Sequence, residues 1–223
     1  MVDAGTWRSI KDETTAQKVT LVAVSKKKPV SDIKELYELG ERNFGENYVQ
    51  ELAEKQPLLP ADIHWHYIGH LQSNKVKYIA GFVHLIHAVD SFKLLQEINK
   101  QASKHNRVID VLLQLHVAEE ETKHGLDNKK LVELMDMHEA QKAEMPNVRI
   151  CGVMGMATFT DDMEQVRKEF RQIKNMFTFV KDSYFITKDY FNICSMGMSG
   201  DYKIAIEEGS TMVRIGSSIF GER

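Results

Sequence analysis

Eight short apolar runs recur along this chain, and segments with helical spacing of apolar residues lie between them. The runs are Val19 to Val24, Asn43 to Gly45, Ile63 to Gly69, Leu85 to Val89, Val108 to Val117, Val148 to Met156, Phe191 to Met196 and Met212 to Gly216. The intervening helices are read at Val30 to Leu39, Glu46 to Lys55, Gln72 to Ala80, Ser91 to Lys104, Asn128 to Lys142, Met163 to Lys181 and Asp201 to Glu208. Ser31 or Asp32 is placed to cap the first of these, Gly40 stops it, and Ser199 is placed to cap the last. Strand then helix, repeated round eight strands with no linker or composition break, predicts an α/β fold: a single-domain (β/α)8 TIM-like barrel. It spans residues 19–223, after a polar lead-in segment, residues 1–18, that is irregular or briefly helical. An open doubly wound sheet is the alternative. It normally has fewer strands and a Gly-rich first turn, and no GxGxxG follows the first strand here.

The first strand, VTLVAVSKKKP, carries the most chemistry. A continuous apolar run closed by a turn reads as a strand buried on both faces, so Ser25 and Lys26 stand at its carboxyl end. Ligands of parallel α/β folds bind at that end. Alternation separates the three lysines: if Lys26 keeps the inward parity, Lys27 points away, and Lys27 and Lys28 are an ordinary surface pair. A half-buried lysine has a lowered pKa and can form a Schiff base with an aldehyde. Taken alone, the stretch is better read as a solvated basic turn opening the next helix, because lysines are mostly exposed, and the rest of the chain has to decide.

The last two strands bear on that choice. The seventh ends in Ser195-Met196-Gly197-Met198-Ser199-Gly200 and the eighth in Arg214-Ile215-Gly216-Ser217-Ser218. Both are small-residue turns whose free amides can hold an anion, and barrel phosphate sites cluster after these strands. Closing the barrel sets the eighth strand beside the first. The economical ligand for a lysine and a phosphate cradle at one mouth is an aldehyde-bearing phosphate, of which pyridoxal 5′-phosphate (PLP) is the common one.

Five stretches together, AVSKKKP, FGENYVQE, WHYIGHLQSNK, SMGMSGD and GSTMVRIGSSIFG, resemble the pyridoxal phosphate homeostasis protein family. This is the single-domain group similar to the amino-terminal barrel of alanine racemase, the type III fold. The match covers nearly the whole chain in order. Its one departure is at the front, where the family's helix ahead of the first strand is longer. The resemblance implies that Lys26 is the Schiff-base lysine, that Ser199, Gly216 and Ser217 bind the phosphate, that Arg214 faces the pyridine nitrogen and that Asn47 lies near the ring. Lys123, in the loop after the fifth strand, reads as an exposed charge, with an approach to the mouth as the alternative. A guanidinium only donates, so a nitrogen facing Arg214 stays unprotonated and the ring is a weak electron sink. Racemases with such an arginine add a tyrosine from a further β domain, and this sequence ends at Arg223, just after the barrel closes.

These features imply a PLP-binding protein acting in intracellular PLP homeostasis and delivery, with apo PLP-dependent enzymes as candidate recipients, rather than an enzyme with turnover of its own. A racemase-like enzyme of low activity is the alternative, and a phosphate-binding barrel with incidental lysines is the third reading. A net charge of −3 with no basic block argues against nucleic acid, and no apolar run approaches membrane-spanning length. With no signal-peptide core, the chain is expected in the cytoplasm, and a monomer is the default. Cys151 and Cys194 lie inside strands and read as free buried thiols. His64, His66 and His70 lack a completing carboxylate or cysteine and read as packing or hydrogen-bonded histidines rather than metal ligands. Met154 and Met156 read as core or ring-contacting wall, and Glu119 to Glu121 as a solvated loop.

Overall fold

The computed structural model describes residues 2–117 and 125–221. Lys123 and Glu119 to Glu121 fall outside them. The chain opens with α1 (Ala4–Ala16) and continues β1 (Thr20–Val24), α2 (Val30–Glu38), β2 (Asn43–Glu46), α3 (Val49–Lys55), β3 (His64–Tyr67), β4 (Leu85–Val89) and α4 (Phe92–Lys104). It ends with β5 (Ile109–Gln114), α5 (Asn128–Gln141), β6 (Val148–Met154), α6 (Met163–Tyr184), β7 (Ile193–Ser195), α7 (Tyr202–Glu207), β8 (Met212–Ile215) and α8 (Ser217–Phe220). The eight strands pair in chain order into a closed parallel barrel, and β8 returns to β1 with Val22 opposite Arg214 and Ala23 opposite Ile215.

Two apolar layers follow from strand parity. Val22, Leu85, Leu112, Cys151, Met154 and Met212 fill the barrel interior. Leu21 and Ala23 belong to the larger core between barrel and helices, with Ile33 and Leu36 of α2 and Trp7 and Ile10 of α1. Each fully buried aliphatic contributes about 1.5–3 kcal/mol. Both cysteines are free and buried, and burial pushes their thiols up to about 12, so they stay protonated at neutral pH. Cys151 and Met154 both face inward although they are three apart, because a bulge between β5 and β6 resets the alternation. Gly152 makes it possible: its φ is 156° and a Cβ there would lie 1.8 Å from the Ile193 carbonyl oxygen.

Helix starts follow side-chain caps. Ser91, Asp127 and Asp162 accept amide hydrogens at the openings of α4, α5 and α6. Four expectations need correcting. The segment before β1 holds a regular 13-residue helix, because Trp7 and Ile10 share a face that buries against the barrel. Neither Ser31 nor Asp32 caps α2, which begins after Pro29 with no side-chain cap. Between β3 and β4 the chain makes a 3-10 turn at Ser73–Tyr78 rather than an α-helix. Finally, Glu46 extends β2 instead of opening a helix, because it is buried against Ser25 and Lys55. Among the described residues no helix is long and apolar enough to cross a membrane.

Candidate functional site

At the carboxyl end of β1 the three lysines diverge. Val22 faces the interior, so Val24 and Lys26 follow it in parity, and Lys26 is half-buried at the barrel mouth. Lys27 is exposed, takes a left-handed φ of 60° and lies over the Tyr48 ring at 5.8 Å. Lys28 departs from the surface pairing expected of it: its Nζ donates to the Phe220 and Gly221 carbonyls, at 2.8 and 3.1 Å. The register pairing Val24 with Gly45, carried forward two residues, puts Asn47 beside Lys26. Tyr67 Oη donates to the Asn47 carbonyl at 3.0 Å. Gly69 lets the loops meet there, since a Cβ would come within 2.1 Å of the same carbonyl oxygen.

Behind Lys26, Ser25 is fully buried and donates to Glu46 Oε1 at 2.7 Å. Lys55 Nζ donates to the same oxygen at 2.7 Å. Burial raises the Glu46 pKa, and Lys55 and Ser25 counter that rise.

Across the seam, Arg214 is buried in the interior below the mouth. Its Nη1 donates to the Ser195 carbonyl at 2.9 Å and to Ser195 Oγ at 2.6 Å, and Nη2 donates to the Gly155 carbonyl at 3.1 Å. Burial lowers its pKa to about 10, still far above neutrality. The polar contacts continue down the barrel. Ser195 Oγ lies 3.3 Å from His87 Nδ1, His87 Nε2 lies 3.0 Å from His66 Nδ1, and His66 Nε2 lies 3.2 Å from Asn43 Oδ1. An amide oxygen only accepts, so with both rings neutral the direction is fixed from the Asn43 end. Ser195 accepts from Arg214 and donates to His87, His87 donates through Nε2, and His66 does the same to Asn43. Both rings are then neutral Nε2–H tautomers. Burial holds both pKa values well below the ordinary 6.5, helped by neighbouring histidines and, for His87, by Arg214. Asn43 and His66 reach a polar cavity of about 520 Å³ at the amino-terminal end of the barrel.

The turn after β8 completes the mouth. Gly216 packs beside Val24 and precedes α8, whose first amides, on Ser217 and Ser218, have no intrahelical acceptor. Ser199 does not cap α7, which opens after Asp201 without a side-chain cap. Its Oγ accepts the Gly216 N–H at 3.2 Å, linking the turns after β7 and β8. Lys26, Asn47, Ser199, Arg214, Gly216 and Ser217 are thus brought to one end of the barrel.

His70 pairs with Asp90 at 3.4 Å and His64 stacks on His84 at 4.4 Å. No group of three metal-ligating side chains occurs among the described residues. A cavity of about 610 Å³ lies elsewhere, beside α5 and α6, walled by Leu131, Val132, Met176 and Phe179. Among the described residues no lysine or arginine lines it. Chemistry, not volume, selects the mouth. Sequence reasoning missed Glu46, Lys55 and His87, and it placed Ser25 and Ser195 at strand ends without their buried contacts. A serine or histidine inside an apolar strand was the available signal for Ser195 and His87.

The family described as alanine racemase, N-terminal domain, matches residues 5–223. A pyridoxal phosphate homeostasis protein of Aquifex aeolicus is 42% identical over 204 residues, covering 91% of this chain and 86% of that protein. The chain belongs to the pyridoxal phosphate homeostasis protein family. Within this family's fold, PipY of Synechococcus elongatus, solved without PLP, superposes with a TM-score of 0.88 at 31% identity, covering 98% of this chain and 99% of that one. PipY solved with PLP bound gives a TM-score of 0.86 at the same identity and coverage. An alanine racemase of Clostridium difficile, at 14% identity and a TM-score of 0.72, shares the barrel over 58% of its length.

Proposed function

We propose that this chain binds PLP at the barrel mouth, captures its aldehyde carbon with the Lys26 amine and holds it in reserve for delivery, without converting amino acids. The observation that carries this reading is that Lys26, just past β1, and the Ser199–Gly216 contact, just past β7 and β8, stand at the same end of adjoining strands. Names and contents of relatives support it: pyridoxal phosphate homeostasis protein in one, a structure with PLP bound in another.

The residues present fit the group. Two of the five Arg214 N–H groups, Nε–H and one on Nη2, have no acceptor among the described residues, which suits a ring nitrogen that accepts. Asn47 Oδ1 is buried without a partner, so a polar group arriving there relieves a desolvation cost. Ser199 Oγ, already accepting from Gly216, keeps its own hydrogen for an anionic oxygen, next to the open Ser217 amide. When bound, PLP supplies an electrophilic carbon and an electron-withdrawing ring. Ser195 and Gly155 fix the plane of the guanidinium, so Arg214 meets the ring as a donor and keeps its nitrogen unprotonated. That weakens carbanion stabilisation and favours storage over turnover. Tyr67 does not supply a second acid or base: burial pushes its pKa up to about 12 and its hydroxyl serves the Asn47 and His70 carbonyls. A monomer that hands its cargo to apo PLP-dependent enzymes completes the proposal.

The test is an absorbance spectrum of the protein with PLP, then hydride reduction and peptide mapping. The expected result is one trapped pyridoxyl group, on Lys26, and no interconversion of L- and D-alanine above that of free PLP. A trapped group elsewhere removes the site, and brisk interconversion makes the chain an enzyme.

A further inference from the structure

Lys26 sits between two residues, Ser25 and Lys27, that are both tied to β2 and α3. The Ser25 hydroxyl donates to Glu46 Oε1 at 2.7 Å, and the Ser25 carbonyl accepts from Lys55 Nζ at 2.9 Å. On the other side, the Lys27 N–H donates to Glu51 Oε1 at 2.5 Å. One ammonium ties these together. Lys55 Nζ also meets Glu46 Oε1 at 2.7 Å and Glu51 Oε1 at 2.6 Å, so its three donors have three acceptors. The Lys55 side chain is 8% exposed, and Glu46 is wholly buried. Little water reaches this cluster to replace a lost contact.

The turn it grips is not one the chain adopts freely. Lys27 has φ 60°, a conformation that a residue with a Cβ enters against a steric penalty. The Glu51 carboxylate on the Lys27 amide offsets that penalty, and Lys55 holds Glu51 in place. With Ser25 and Lys27 both fixed, the Cα–Cβ direction of Lys26 is fixed as well.

We propose that Lys55 is a positioning residue. It does not touch the cofactor, but it locks the Ser25–Lys27 turn and so aims the Lys26 amine into the mouth. This rests on the reading of Lys26 as the PLP-bearing lysine. The consequence is selective. Capture of an aldehyde depends on the clamp, whereas recognition of the phosphate, made at Ser199, Gly216 and Ser217, does not.

The test compares PLP with pyridoxine 5′-phosphate, which has the phosphate and ring but no aldehyde. Lys55→Met alone leaves Glu46 buried without its counter-charge and can fail to fold, so the charge-balanced pair Lys55→Met with Glu46→Gln is used. Glu51→Ala, at the partly exposed end of the clamp, is the second variant. Each is measured for folding by urea denaturation, for affinity for both vitamers, and for the rate of hydride-trapped modification at Lys26. The expected result is on the order of tenfold weaker and slower reaction with PLP, as for loss of one or two charged hydrogen bonds, with pyridoxine 5′-phosphate affinity unchanged. Equal losses for both vitamers, or no loss for either, overturn the proposal. If the double variant does not fold, Glu51→Ala alone decides by the same selective loss. A wild-type adduct that maps to another lysine instead defeats the reading beneath it.

Discussion

Two neutral histidines inside a barrel make a measurable demand on pH. His66 is 1% exposed and His87 is 0% exposed, and burial keeps both pKa values well below 6.5. In the unfolded chain both titrate near 6.5. Their contribution is therefore complete above pH 6.5 and is lost as pH falls below it, because the unfolded state takes up protons that the folded state refuses. For a group that stays neutral when folded, going from pH 7.5 to 5.5 costs about 1.4 kcal/mol, hence roughly 3 kcal/mol for the pair. Urea unfolding of the cofactor-free protein at the two pH values measures the drop. Other histidines with lowered pKa values, His84 and His138, add to it, and the raised pKa of Glu46 works the other way. The decisive quantity is thus the difference between wild type and His87→Gln. Glutamine can accept from Ser195 and donate to His66, yet it cannot titrate. The variant should lose about 1.4 kcal/mol less stability than wild type over this interval. An identical drop in the two proteins would refute the buried neutral relay.

Arg214→Glu should turn the ring's partner from donor to acceptor, protonate the pyridine nitrogen and shift the absorbance of the bound cofactor; an unchanged spectrum contradicts the placement of Arg214. Ser199→Ala removes the acceptor of the Gly216 amide and, on the proposed reading, one phosphate donor, so isothermal titration should show pyridoxine 5′-phosphate bound more weakly by about 1–2 kcal/mol. Gly152→Ala forces a Cβ against the Ile193 carbonyl at a φ of 156°, and its thermal or urea midpoint should report a loss of about 3–5 kcal/mol.

The barrel was legible because its strands are short apolar runs cut off by small or charged residues, a pattern that depends on local sequence alone. Lys26 and the two glycine–serine turns were legible for the same reason, since each falls where an apolar run stops. What escaped depends on partners far along the chain. Glu46 looks like a first-turn helix residue, and only Ser25 and Lys55 make it the end of a strand. His87 sits in LIHAV, where every neighbour is apolar, and its partners come from β3 and β7. Ser199 has the chemistry of a helix cap, but the nearer demand comes from the Gly216 amide. Such choices are settled by which buried polar group lacks a partner, and no window of sequence contains that information.

The barrel has one joint that consecutive sequence does not bridge, where its first and last strands meet. Lys28 already bolts that joint by gripping the carbonyls of Phe220 and Gly221. A molecule fastened to Lys26 on one side and to the Gly216 turn on the other would act as a second bolt, joining the first strand to the last. Its departure would then loosen the hoop at that joint, and the rate at which the hoop springs open would report whether the cargo is aboard.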